Sequence, residues 1–388
     1  MTFVDRMAER LTLELARRDV PQVLIEAAIE SGYMYHPTSP NPSVADTFYL
    51  PKGPSGVIPI DHFAAFLKGE QDQPKLHDIP DYGIHSLDEA KAILERQRHI
   101  RYRDRMCFRG QTKEYRTVRK LPNLVRADSA GRERLIIPAF WRQFQDDWLD
   151  RFTADVPRSI FTTFEAEELI YWGIPNVDTL AQRNFDRHGV HTMSDLEDFP
   201  DSESQEYGRR WRQHKVDGPS NSELPLIEQH YGMKTMGLDV TFDLATALFF
   251  ASQEFKRRED ETATFVPVPD GAHEGVVYAM VFRDPPLRRT DAIVTEIGVF
   301  EHLPPERPIR QQCALPGFDA FGINAAVTDL DAVFYLAPDF NPAGLPLKEH
   351  LFPGERDDQF YEAVLAVKRG PRGAWLSDIV EYRFDEMD

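Results

Sequence analysis

The sequence predicts an α+β fold, with an N-terminal helical extension over residues 1–99 and a larger α+β domain over residues 100–388. Three observations lead there. Apolar residues recur at helical spacing in the first hundred positions, the period changes to two around residues 102–109, and short, nearly all-apolar runs dominate after residue 270. Helices early and strands late suit segregated layers better than the regular alternation of a doubly wound sheet.

Val4, Met7, Leu11 and Leu15 put an apolar stripe on a first helix, and Pro21 opens a second that runs through Ile25 and Ala28 to a stop at Gly32. The proline-rich residues 31–59 read as a loop or linker. Asp61 is placed to cap a short helix over Phe63 and Phe66, and Ser86-Leu87-Asp88-Glu89 is a capping box before a helix over residues 90–98. Next comes a strand with Met106 and Phe108 on one face and Cys107 and Arg109 on the other, ended by Gly110 and Gln111. Leu135, Ile136, Phe140, Phe144 and Trp148 predict a helix over residues 132–152, or one that begins near Pro138 instead, and residues 154–222 read as helix and loop by turns.

The run 228–251 carries the densest instructions. Gly232 ends an apolar helix, residues 238–241 make a short strand, and Asp243 caps a helix whose Leu244, Ala247, Leu248, Ala251 and Phe255 share a face. Phe249 and Phe250 widen that face, so the helix is expected to be buried. The charged residues 256–261 read as a connection, followed by a buried strand at 275–282, shorter strands at 293–299 and 333–336, and a last amphipathic helix at 357–367.

A net charge of −19 argues against a protein that coats itself in nucleic acid. Within it lies a basic island: residues 96–126 hold eleven Lys or Arg against Asp104 and Glu114, either a limited anion site or a solvated face paired with neighbouring acids. No apolar run approaches the ~18 residues that span a bilayer. A charged N-terminus and two cysteines, Cys107 and Cys313, predict a cytoplasmic protein without membrane attachment.

Phosphate-loop, dinucleotide-fingerprint and nucleophile-elbow spacings are missing, and His188 and His191 lack further ligands, so no metal site is expected. What remains is a constellation over three stretches: Phe108-Arg109-Gly110-Gln111, the run 228–251, and Arg310-Gln311-Gln312. Arg109 reads either as an anion anchor or as the ion-pair partner of Asp239. Asp239 and Thr241 read as turn residues or as ligand contacts, and His230 and Tyr231 as core-closing or ligand-facing.

These stretches resemble the FRG domain family. FRGQ at 108–111, LPNLVR at 121–126, EQHYG at 228–232, the spaced set Thr235, Leu238, Asp239, Thr241, Ala247, Leu248, Phe250 and Ala251, and RPIRQQ at 307–312 carry the resemblance. It departs at Lys234, Met236, Gly237, Val240 and Cys313. The motif order is also similar to that of the ADP-ribosyltransferase fold, a split-sheet domain in which groups from three strands meet around NAD. The resemblance implies Arg109, Thr241 and Gln312 (or Gln311) as catalytic positions, with Gln111, Arg126, His230, Tyr231 and Asp239 binding the cofactor. It implies NAD as substrate of an ADP-ribosyltransferase or NAD glycohydrolase, of the toxin or defence-effector kind. Glutamine is neutral and cannot act as a base, which leaves Glu296 and Glu301 as acidic candidates. The alternative is a non-catalytic nucleotide or nucleic-acid sensing module.

Overall fold

The computed structural model describes residues 3–37, 41–49, 57–70, 79–96, 99, 105–138, 140–144, 224–232, 235, 237–259, 262–269, 271–282, 287–290, 304–316, 324–369 and 379–384. The first part holds α1 (Phe3–Ala16), α2 (Gln22–Glu30), β1 (Tyr33–Tyr35), β2 (Ser43–Asp46), β3 (Val57–Pro59), α3 (Ile60–Leu67), β4 (Asp81–Ser86) and α4 (Leu87–Leu94). Pro21 stands at the N-cap of α2, and Gly32 follows that helix at a φ of 87°, a left-handed value that suits glycine. The Ser86 hydroxyl accepts from the Glu89 N–H at 3.2 Å, and the Glu89 carboxylate reaches back to the His85 N–H at 2.7 Å.

Two expectations change here. The proline-rich stretch contains an antiparallel three-stranded sheet in the order β1-β2-β3, with Pro42 just before β2 and Pro59 at the end of β3, where a missing N–H weakens the ladder least. Asp61 lies inside the first turn of α3, whose N-cap is Pro59, and accepts from the Arg18 guanidinium at 2.6 Å.

The rest comprises β5 (Cys107–Gln111), β6 (Arg116–Val118), β7 (Arg132–Arg134), a 3-10 turn (Trp141–Phe144), α5 (Leu224–His230), β8 (Val240–Thr241), α6 (Leu244–Ser252), β9 (Gln253–Arg257), β10 (Thr262–Pro267), β11 (Val276–Met280) and β12 (Leu287–Arg289). There follow α7 (Glu306–Arg310), β13 (Cys313–Pro316), a second 3-10 turn (Ala325–Asp329), β14 (Leu330–Asn341), α8 (Lys348–Leu351), α9 (Gln359–Arg369) and β15 (Glu381–Tyr382). A seven-stranded sheet in the order β12-β13-β8-β5-β11-β14-β4 forms the centre, antiparallel except where β4 lies parallel to β14. The mixture of helices with several sheets is an α+β architecture. Among the described residues no helix is long and apolar enough to cross a membrane.

The helix expected within 132–152 is absent from its described part: residues 132–134 pair with β6, and Leu135, Ile136 and Ile137 are all buried in succession, as an extended chain allows and an amphipathic helix does not. Pro138 then precedes the 3-10 turn. The central helix stops at Ser252 rather than running through Phe255, because residues 253–257 turn into a hairpin with β10 that pairs Phe255 with Phe265. The strand expected at 293–299, the stretch 154–222 with His188 and His191, and Glu296 and Glu301 lie outside the described residues.

One face of the central sheet packs against α4 and α6, and the close approach of α6 depends on two glycines. A Cβ at residue 110 would lie 1.8 Å from the Ala247 carbonyl oxygen, and one at Gly275 would lie 2.2 Å from that of Ala251. The segment before residue 99 is joined just as firmly. Besides supplying β4, it shares its core, including Leu11, Ile25 and Phe63, with Leu124 of the LPNLVR stretch.

Beneath that core lies a buried ionic hub. The Arg119 guanidinium donates to both carboxylate oxygens of Asp46 (2.9 and 2.8 Å), both of Glu133 (2.9 and 2.8 Å) and the Ser31 carbonyl (2.7 Å). The three charged side chains are 1% exposed or less. Asn123 adds its amide to Asp46 at 2.8 Å, and Tyr49 adds its hydroxyl to Glu133 at 2.5 Å.

Gly110→Ala is expected to destabilise by about 3 kcal/mol or more, since the methyl meets backbone that cannot rotate away. Gly354→Ala, with nothing within 4 Å, is the control for a thermal-melting comparison. Arg119→Met leaves two buried carboxylates unpaired and is expected to cost about 3–5 kcal/mol by urea unfolding.

Candidate functional site

The alternation of β5 decides where its side chains go. Cys107, Arg109 and Gln111 share the sheet face of Val276, Tyr278 and Met280, whereas Phe108 and Gly110 face α6. β8 meets β5 at one residue pair, Phe108 with Thr241, and Thr241 in turn pairs with Cys313 of β13. Beyond that pair the two strands separate. Arg109 spans the gap: its Nη1 donates to the Asp239 carbonyl at 2.7 Å and pairs with the Asp239 carboxylate.

A cavity of about 160 Å³ occupies the gap, lined by Phe108, Arg109 and Gly110 from β5 and by Asp239, Thr241, Phe250 and Cys313 opposite. Pockets for drug-sized ligands hold ~300–1,000 Å³, and a ~150 Å³ cavity is known to take benzene, so this one has room for a single six-membered ring. A larger cavity of about 780 Å³ lies between α9 and β15. Its lining is charged and largely self-paired, with Arg369 held between Glu355 and Glu381, and no motif residue reaches it.

The residues singled out from the sequence fall into separate groups. Thr241 lies on the face opposite Arg109, and its hydroxyl is committed to the turn, donating to the Gln311 carbonyl at 2.6 Å and accepting from the Asp243 N–H at 2.9 Å. Gln311 is buried with its amide on the Leu351 carbonyl at 3.0 Å. Gln312 is exposed, at a left-handed φ of 48°, and its carbonyl accepts from Phe242. The Arg126 guanidinium donates to the Val327 carbonyl at 2.9 Å and lies over the Tyr49 ring. Tyr231 is buried, its hydroxyl on Asp358 at 2.8 Å and its ring against the enclosed Arg307. His230 places Nε2 2.7 Å from the Cys313 sulfur, and burial pushes that thiol's pKa well up, as it does for Cys107.

Gln111 is the exception. It stays on the Arg109 face, is 7% exposed, and neither amide atom has a hydrogen-bond partner among the described residues. The same holds for Arg109 Nε, for the hydroxyl of the fully buried Tyr278, and for Nε of Arg142, whose guanidinium sits 4.2 Å above the Tyr115 ring. Burial lowers the Arg142 pKa, and the Arg109 charge lowers it further. Each unmet buried polar atom costs about 1–3 kcal/mol, so five on one face are a large liability for one domain. Arg142 and Tyr278 were not singled out in the sequence. For Tyr278 a signal existed, a lone phenol inside an otherwise apolar strand, whereas Arg142 sat in a stretch that read as helix.

Partial desolvation acts to raise the carboxyl of Asp239, whose side chain keeps 40% of its exposure, and the Arg109 guanidinium, helped by His230, outweighs it and holds the group below the usual carboxylate range. A carboxyl depressed in the folded state contributes stability above its unfolded value of ~3.9 and loses it as pH falls through the folded value. The stability difference between wild type and Asp239→Asn is therefore expected to hold steady from about pH 7 to about pH 5 and to close below about pH 4, as read by urea unfolding. A difference that stays constant down to about pH 3 would remove charge from the account of this pair. Comparisons with family models, with curated proteins and with solved structures found no match to the chain.

Proposed function

We propose that the chain binds a nucleotide of the NAD class where β5 and β8 separate, with Arg109 as the phosphate or ribose anchor. The observation that carries this reading is the placement of Arg109: a guanidinium 13% exposed, held by one carboxylate, with no partner for Nε among the described residues, beside a cavity the size of one aromatic ring. A planar fork suits a diphosphate or a ribose diol. A ring such as nicotinamide fits the cavity, and the rest of the dinucleotide lies outside it.

Breaking the nicotinamide–ribose bond develops positive charge on the ribose carbon, and a carboxylate stabilises it. Asp239 is engaged with Arg109, and the Thr241 hydroxyl and Gln311 amide are engaged in the turn. The ADP-ribosyltransferase or glycohydrolase form of the reading therefore calls on Glu296 or Glu301. Those engagements favour a second form, a module that binds the nucleotide without turning it over. Nucleic acid is less supported, because Arg116, Arg119 and Lys120 of the basic region are spent on carboxylates of the chain itself.

The test incubates the full chain with NAD, follows nicotinamide release by chromatography and measures binding by calorimetry. Release that disappears in Glu296→Gln or Glu301→Gln assigns an enzyme, and binding without release assigns the sensing module. Arg109→Lys keeps a charge opposite Asp239 and loses the fork, so affinity is expected to fall about tenfold or more. Neither binding nor release would end both forms.

A further inference from the structure

We propose that Arg109, Arg142, Gln111 and Tyr278 form an oxyanion-binding site on the sheet face opposite α6, one that takes a phosphate or diphosphate group. The side chains meet there for reasons of register. Arg109 and Tyr278 are cross-strand partners, Gln111 is the next residue of β5 on the same face, and the 3-10 turn brings Trp141 into the core of that face and Arg142 over Tyr115 beside it.

Their unmet hydrogen-bonding capacity has a chemical sign. Two guanidinium Nε–H groups and the Gln111 Nε2 are donors, Tyr278 Oη can donate, and the Gln111 Oε1 is the one pure acceptor. Water would serve a balanced set of donors and acceptors; this set is dominated by donors. Charge points the same way. The carboxylates nearby are occupied, Asp239 by Arg109 and Glu114 by both Arg116 and Arg134, and Arg142 makes no ion pair among the described residues. An oxyanion answers both the excess of donors and the second positive charge.

The site shares Arg109 with the nucleotide reading but does not depend on it, since a free phosphate and a nucleotide-borne diphosphate present the same chemistry. The experiment separates them. The full chain in low-salt buffer is titrated with inorganic phosphate, pyrophosphate and ADP, followed by calorimetry and by thermal melting. Pyrophosphate is expected to raise the melting temperature, and Arg142→Gln to weaken its binding about tenfold or more, the loss of one charge-assisted contact. Tyr278→Phe preserves the packed shape, so it is expected to fold as wild type does and to bind pyrophosphate more weakly. It decides the matter if Arg142→Gln proves unstable.

ADP binding much tighter than pyrophosphate assigns a nucleotide-borne group, and equal affinities assign a free one; either supports the site. No response of the wild-type chain to any of the three, or variants that respond as wild type does, means that the polar groups hold water only and overturns the proposal. NAD bound normally by a chain that ignores pyrophosphate would sink this site and leave the nucleotide reading standing. Pyrophosphate bound by a chain that ignores NAD would do the reverse.

Discussion

The carbonyl of Ala247 rests where a side chain on residue 110 would have to begin, and much of the domain follows from that contact. It lets α6 lie directly on β5, and the matching contact at Gly275 extends the seat to β11. With α6 seated, Asp243 at its N-cap is fixed by bonds to Ala245 and Thr246, and the two residues of β8 enter the sheet from a defined direction. So short a strand pairs with β5 at one position. The gap beyond it, and the Arg109–Asp239 pair across it, are consequences of the close helix contact rather than separate inventions.

Within the Phe-Arg-Gly sequence the strand period divides the labour. Phe108 and Gly110 build the interface with α6, and Arg109 is delivered to the opposite face, where the polar ends of Gln111 and Tyr278 lie within a core that includes Val276, Met280 and Trp141. A glycine that permits close packing on one side thus leaves its neighbour free for chemistry on the other. The neighbouring motifs are structural to a degree their composition conceals. The leucines of LPNLVR belong to the N-terminal core or pack against it, its asparagine bridges to Asp46, and Tyr231 of EQHYG closes over Arg307.

The Arg119 hub explains why the first hundred residues do not behave as an appendage. A guanidinium with all five donors engaged links Ser31 and Asp46 to Glu133, and such a group tolerates loss of a partner poorly because the remaining charge has no water to turn to. Much of the described basic region is absorbed in this manner. Arg109 is held by Asp239, Arg116 by Glu114 and Asp128, and Lys120 by Glu30, so part of the positive charge seen along the chain is cancelled in space.

Local order was legible in the residues themselves wherever short-range physics governs it: α1 and α2 with the stop at Gly32, the Ser86 capping box, the alternation of β5, the Asp243 cap and the apolar run of β11. The extended course of residues 132–137 was not, because Leu135, Ile136 and Ile137 satisfy a helical count as readily as a strand buried on both sides, and the pairing partner that decides between them lies at β6. The same limit applies to the site. The chain named Arg109, Thr241 and Gln312 as one group, yet a shift of one residue along a strand reverses the face, and cross-strand register alone put Thr241 behind the sheet from Arg109 and brought Tyr278 beside it. Periodicity is a property of neighbours in sequence, whereas a site is made by neighbours in space, and only tertiary packing supplies those.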